Sequence, residues 1–266
     1  MINFKLRELD KISPWGQEPN LSLHWFALTY GDLWLTIGNS TIYEYSKEAI
    51  NFFGNKSTPY NDYQISRFIE DFTVLFDKIR ETIPEEFYDL TKESIKFKSD
   101  AQKWLEIYDT DEDDYSDFYF EEYYNLISWT NQRTFDSGHL IGGPILSFFR
   151  RNDKIRIVWE TEHILENGIS IWTAKDGSFE MDYSDFIYKI KIFGQSFFSE
   201  MENQIELVLE KEWGKIKIDK VSLVEEHKER KEKFFSTLFL LNQEPVEKTN
   251  WKEIQNLYKR MTIEIK

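Results

Sequence analysis

The segment from Trp129 to Arg151, WTNQRTFDSGHLIGGPILSFFRR, gathers a cation, a carboxylate and an imidazole, Arg133, Asp136 and His139, on a glycine-rich stretch. Glycine has no Cβ, so its backbone can approach a ligand closely. Polar groups flanked by aromatics suit the wall of a small-molecule pocket. Trp129, Arg133, Asp136, His139 and Arg150 are therefore the candidate binding residues. The same residues also suit a helix end and a turn, with Arg133 bonding the last helical carbonyls and Asp136 opening the turn. Both readings stand at this level.

A second cluster, DTDEDDYSD from Asp109 to Asp117, places Asp109, Asp111 and Asp113 at the alternate positions that begin a calcium loop. The pattern then fails, because Asp114 stands where the loop needs glycine and Phe120 where it needs a bidentate glutamate. A solvated acidic loop is the expectation. The histidines, His24, His139, His163 and His227, show no paired metal spacing. His163 and His227, set among charged neighbours, are expected at the surface, and His24 alternates with Trp25 so that one of the two faces the core. There is no G-x-S-x-G elbow, no phosphate loop with G-K-[ST] and no G-x-G-x-x-G. The absence of cysteine removes disulfides and thiolate chemistry. No catalytic residue, metal site or cofactor is assigned.

The elements that must position these residues follow from period and punctuation. Leu21 to Ser46 holds three short aromatic and β-branched runs, separated at Tyr30-Gly31-Asp32 and Gly38-Asn39-Ser40, which predicts a three-stranded antiparallel meander. Within it Leu33, Leu35 and Ile37 share the core face, and Asp32, Trp34 and Thr36 the other. From Asn61 to Ile83 the period changes. Ile65, Phe68, Ile69, Phe72, Leu75, Phe76, Ile79 and Ile83 form one helical stripe, opened by Asn61 with Gln64 and stopped by Pro84. Helices are further expected over 96–108 and 117–132, then strands over 145–150, 154–160, 169–174 and 178–181. A long helix from Ser184 to Trp213, a charged helix carrying Phe234, Phe235, Leu238 and Phe239, and a last helix opened by Asn250 and Glu253 complete the chain. This order indicates an α+β protein, with antiparallel sheets from two strand groups packed against amphipathic helices. One domain over 1–266 is expected, with two lobes, 1–135 and 136–266, as the alternative.

Hydrophobic residues make up 41% of the chain and aromatics 17%, enough to build a core, so disorder throughout is excluded. Against 33 Lys+Arg stand 48 Asp+Glu, a net charge of -15. That field repels phosphate backbones and anionic lipid, so a basic protein is the expected partner rather than nucleic acid or a membrane surface. Acidity that only keeps an aromatic-rich chain in solution is the simpler alternative. No uncharged apolar run reaches the roughly 18 residues of a spanning helix. The opening MINFKLRELDKISPWG lacks the apolar core of a signal peptide, and a cytoplasmic protein is expected.

Pro14-Trp15-Gly16, the run Leu23-His24-Trp25-Phe26-Ala27-Leu28-Thr29, Trp34, Tyr45-Ser46 and Asp62-Tyr63 together resemble a bacterial domain family of unknown function. Asp136 to His139 is similar to a later segment of its members, and Ala27 stands where that pattern has glycine. The resemblance spans most of the chain, implies a bacterial origin and carries over no catalytic residue. Two classes of function follow. One is a non-enzymatic binding protein, in its sharpest form an immunity-type protein that neutralises a basic partner by covering it. The other is an enzyme or small-molecule sensor with a pocket around the 129–151 segment.

Overall fold

The computed structural model describes residues 1–54, 58–108, 116–244 and 247–266. The first half runs β1 (Ile2–Leu6), α1 (Trp25–Leu28), β2 (Tyr30–Ile37), β3 (Ser40–Ile42), α2 (Lys47–Phe52), β4 (Asn61–Gln64), α3 (Ile65–Thr73), α4 (Phe76–Ile79), α5 (Glu85–Leu90), α6 (Ser94–Tyr108) and α7 (Ser116–Asn131). The second runs β5 (Thr134–Asp136), β6 (Ile145–Arg151), β7 (Lys154–Glu160), β8 (Gly177–Asp182), α8 (Tyr183–Glu210), α9 (Lys220–Leu240) and α10 (Trp251–Glu264). The chain is α+β, and its two strand groups form two separate antiparallel sheets.

In the first sheet β2 is the spine. β1 pairs along one edge, from Ile2 opposite Leu35 to Leu6 opposite Gly31, while β4 and β3 share the other edge. Leu33, Leu35 and Ile37 are buried and Asp32, Trp34 and Thr36 are not, as a period of two requires of a strand with one core face. Gly31 is needed there, since a Cβ on it would lie 2.3 Å from the carbonyl oxygen of Lys5.

The second sheet, in the order β5-β6-β7-β8, is covered on both faces at its centre. Leu146, Phe148, Ile155, Ile157 and Trp159 enter a core shared with the first sheet, α3 and α8. Phe149 and Val158 enter a second core with α5, α6, α7 and α10. Burial on both faces explains why β6 and β7 read as nearly continuous apolar runs rather than as alternating strands. Helix α8 crosses α9 at Gly194, where a Cβ would meet the Phe234 ring at 2.1 Å.

Several expectations change. The first run of the expected meander is α1, a single helical turn in which Ala27 and Leu28 donate to the carbonyl of His24. Tyr30-Gly31-Asp32 is not a turn but the start of β2, because the earlier strand β1 supplies the missing edge partner. Asn61 and Gln64 do not form a capping box: they pair with Leu33 and Tyr30 in β4, helix begins at Ile65, and Gln64, in the N-cap position, makes no side-chain capping bond. The predicted helix to Ile83 breaks between α3 and α4, yet all eight residues of its stripe are buried. Residues 169–174 make only isolated bridges, from Tyr45 to Trp172 and Ile164 to Ser170, since Trp172 stacks on Tyr45 and donates to the Gly142 carbonyl. His227 is not at the surface: it is 7% exposed, and the Trp25 indole donates to its Nδ1 at 3.3 Å. Trp25 is the core member of the His24–Trp25 pair. The calcium-loop reading of Asp109 to Asp113 lies outside the described residues.

Phe72 is the hub of the first core, with ring centroids 5.0 to 5.4 Å from those of Phe68, Phe76 and Phe148. Phe72→Ala is expected to lower unfolding free energy by about 3–5 kcal/mol. Urea denaturation measures it, and a loss below about 1 kcal/mol, within the effect of an ordinary surface change, would show that the stripe is not seated in a core.

Candidate functional site

The sequence-derived binding residues do not gather into one cluster. Arg133, between the end of α7 and β5, is fully buried and turns into the second core. Its Nη1 donates to the Trp129 carbonyl at 2.8 Å, and its Nη2 donates to Glu81 Oε2 at 2.5 Å. Its guanidinium carbon lies 5.7 Å from the Trp251 ring centroid. Trp129 is a core residue, packed against Phe87, Phe97, Phe149 and Trp251. Asp136 is exposed on β5, opposite Ile145.

His139 is half-buried, tilted over Tyr63 with ring centroids 5.0 Å apart. Burial lowers its pKa; the charges of Asp71 and Asp136 act the other way, and that of Arg67 adds to the lowering. Asp136 and His139 thus sense each other, while Arg133 makes its ion pair elsewhere. Arg150, on β6, donates to the carbonyls of Asn152 and Arg80 and lies 3.9 Å over the Tyr183 ring. It borders a cavity of about 870 Å³ between the β6–β7 turn and the start of α8.

Glu81, in the segment after α4, is the residue that sequence reasoning missed. Only 1% exposed, it accepts from the backbone N–H groups of Lys248 and Thr249 at 2.9 and 2.8 Å and from the Thr249 hydroxyl at 2.8 Å, as well as from Arg133. Burial by itself would raise its pKa. The Thr249 hydrogen bond, the Arg133 charge and the two backbone donors outweigh burial and hold the carboxyl below its usual range. Its place between Ile79 and Ile83 of a helical stripe gave no signal, because the chain there has left the helix. The satisfaction is incomplete: among the described residues, Arg133 Nε and the indole nitrogens of Trp129 and Trp251 have no hydrogen-bond partner.

A second polar site lies on the outer face of the first sheet. The pairing sets Lys5, Asp32 and Asp62 in one row across β1, β2 and β4. Arg7 pairs with Asp62 and lies 5.1 Å from the Tyr30 ring. Together with Glu8, Lys11 and Thr58 these residues line a cleft of about 410 Å³. Burial raises the pKa of Asp32, against a hydrogen bond from Thr58; the Asp62 charge adds to the rise, and those of Lys5 and Arg7 oppose it. The cleft offers donors and acceptors of both signs. Its signal in the sequence was present in Gly31-Asp32 and Asp62-Tyr63, and the turn assigned to the first pair hid it.

Because the Glu81 carboxyl is depressed, its contribution to stability is present above the unfolded carboxylate pKa and is lost as pH falls through the lower folded value. Arg133→Met strands that charge in the core and is expected to cost about 3–5 kcal/mol at neutral pH. The cost should shrink steadily on acidification, as the stranded carboxyl takes up a proton. Urea unfolding of both proteins across the acidic range tests this, and a difference independent of pH would contradict it.

No curated protein and no solved structure matches the chain. A family described as "Family of unknown function (DUF5984)" matches residues 1–257. It covers both sheets, the buried Glu81–Arg133 pair and the polar cleft, and the chain belongs to this family.

Proposed function

We infer that this is a non-enzymatic binding protein that engages a basic protein partner through α6 and α7. Its sharpest form is an immunity-type protein, bacterial and cytoplasmic, that covers the partner's working surface. One observation carries this reading: along the chain, a run of acidic residues is flanked by exposed apolar side chains of α6 and α7. Residues 106–122 hold nine acidic and no basic residues, within a chain whose net charge is -15. Ile107, Phe120 and Tyr124 are 48%, 57% and 57% exposed, with Phe120 and Tyr124 one turn apart on one side of α7. Carboxylates speed the encounter with a positive surface and select for it, and large apolar anchors hold it once docked.

The platform is braced in advance. Tyr123 donates to Gln102 across α6 and α7, and Arg260 of α10 joins Glu122 to Glu264. Preorganisation of this kind lowers the ordering cost of binding. The alternative of a pocket around the 129–151 segment is weaker, because Arg133, its cation, is consumed by Glu81 within the core.

The test compares the wild type with the Phe120→Ala/Tyr124→Ala variant as baits in extracts of the native host. A basic protein should be retained by the wild type, released by raised salt, and bound at least about tenfold more weakly by the variant, as expected for loss of anchor residues. Co-expression should then relieve any toxicity of that partner. Retention of only acidic or neutral proteins, or equal retention by the variant, contradicts the reading.

A further inference from the structure

Between α8 and α9 runs a groove of about 600 Å³, within the size range of small-molecule sites. Ile205 and Leu209 form one wall and Val224 and Phe235 the other. His227 lies in the floor, more than nine-tenths buried. The indole N–H of Trp25 can only donate, and it sits 3.3 Å from His227 Nδ1. Nδ1 must therefore offer its lone pair, which puts the proton of the neutral ring on Nε2. Among the described residues that N–H has no hydrogen-bond partner. The nearest carboxylate oxygen, Glu202 Oε1, stays 3.6 Å away because the Lys231 ammonium holds it at 2.6 Å.

We propose that this groove binds an uncharged, mainly apolar small molecule whose carbonyl oxygen accepts the proton of His227 Nε2. The acceptor supplies what a buried donor lacks, and the aliphatic and aromatic walls take the apolar remainder. Charge at the rim argues for a neutral ligand. Glu202, Glu206 and Glu232 outnumber Lys228 and Lys231, so an added anion meets net repulsion where a carbonyl dipole does not. Burial, opposed by Glu202 and aided by Lys231, lowers the His227 pKa and keeps the ring neutral as the proposed donor. Entry requires the Glu202–Lys231 pair above Nε2 to swing aside. Its side chains are 46% and 39% exposed, and exposed ion pairs yield at little cost. The groove lies on different helices from the acidic α6–α7 surface, so this inference does not depend on the partner proposed above.

The experiment uses the full chain labelled with ¹⁵N-histidine. The spectrum of the free protein must show His227 protonated at Nε2; protonation at Nδ1 overturns the proposal at the outset. Titration with 2-octanone is expected to shift the His227 Nε2 resonance saturably, and octanoate to bind at least about tenfold more weakly. Val224→Trp fills the groove from a half-exposed position without touching the Trp25–His227 bond, and should abolish the shift while leaving the free His227 signals in place. No saturable shift up to the solubility of the ketone, an equal shift in Val224→Trp, or tighter binding of octanoate would overturn it.

Discussion

The ion pair of Glu81 with Arg133 is the constraint on which the arrangement of the second core depends. Three stretches distant in sequence meet at it: the segment after α4, the end of α7, and the approach to α10 through Lys248 and Thr249. Removing either charge alone leaves the other in an apolar interior, which is far more costly than losing a surface contact. A fully satisfied apolar replacement need not be costly, so the pair is better understood as fixing which segments meet than as a source of net stability. Trp129 and Trp251 close over it, and Phe87 and Phe97 pack against them.

This interlock also accounts for the fate of the 129–151 segment. Phe135 of β5 enters the first core, whereas Arg133 precedes the strand, in the turn that ends α7, and its side chain lies over Trp251 in the second. The sequence announces a cation, a carboxylate and an imidazole in one short stretch, but not that the second sheet separates two cores. Arg133 lies in the second core, while His139 sits against Tyr63 of the first sheet and Asp136 is exposed on β5. The long-period elements were legible for the opposite reason. The stripe from Ile65 to Ile83, the helix α8 and the Asn250 cap of α10 each carry their evidence locally, in spacing or capping chemistry. What failed was non-local: β1 as the partner of β2, β4 in place of a helix start, and the burial of His227 by Trp25, 202 residues away in sequence.

His227 also shows how one donor sets the chemistry of a distant surface. Trp25, in the aromatic run near the start of the chain, occupies Nδ1 and so commits the ring to donate from Nε2 toward the α8–α9 groove. On the opposite flank the acid-rich ends of α6 and α7 are braced to α10, and α10 is tied through Thr249 to Glu81. The candidate binding surface therefore rests on the same buried pair that orders the second core.

The central claim, that Glu81 and Arg133 act as one unit, is tested most directly by a double-mutant cycle with Glu81→Leu, Arg133→Met and the two combined, each followed by urea unfolding at neutral pH. The account predicts strong coupling, the double variant losing less than the sum of the single losses by more than about 1 kcal/mol. Losses that add to within about 0.5 kcal/mol would show two independent residues, and would contradict it.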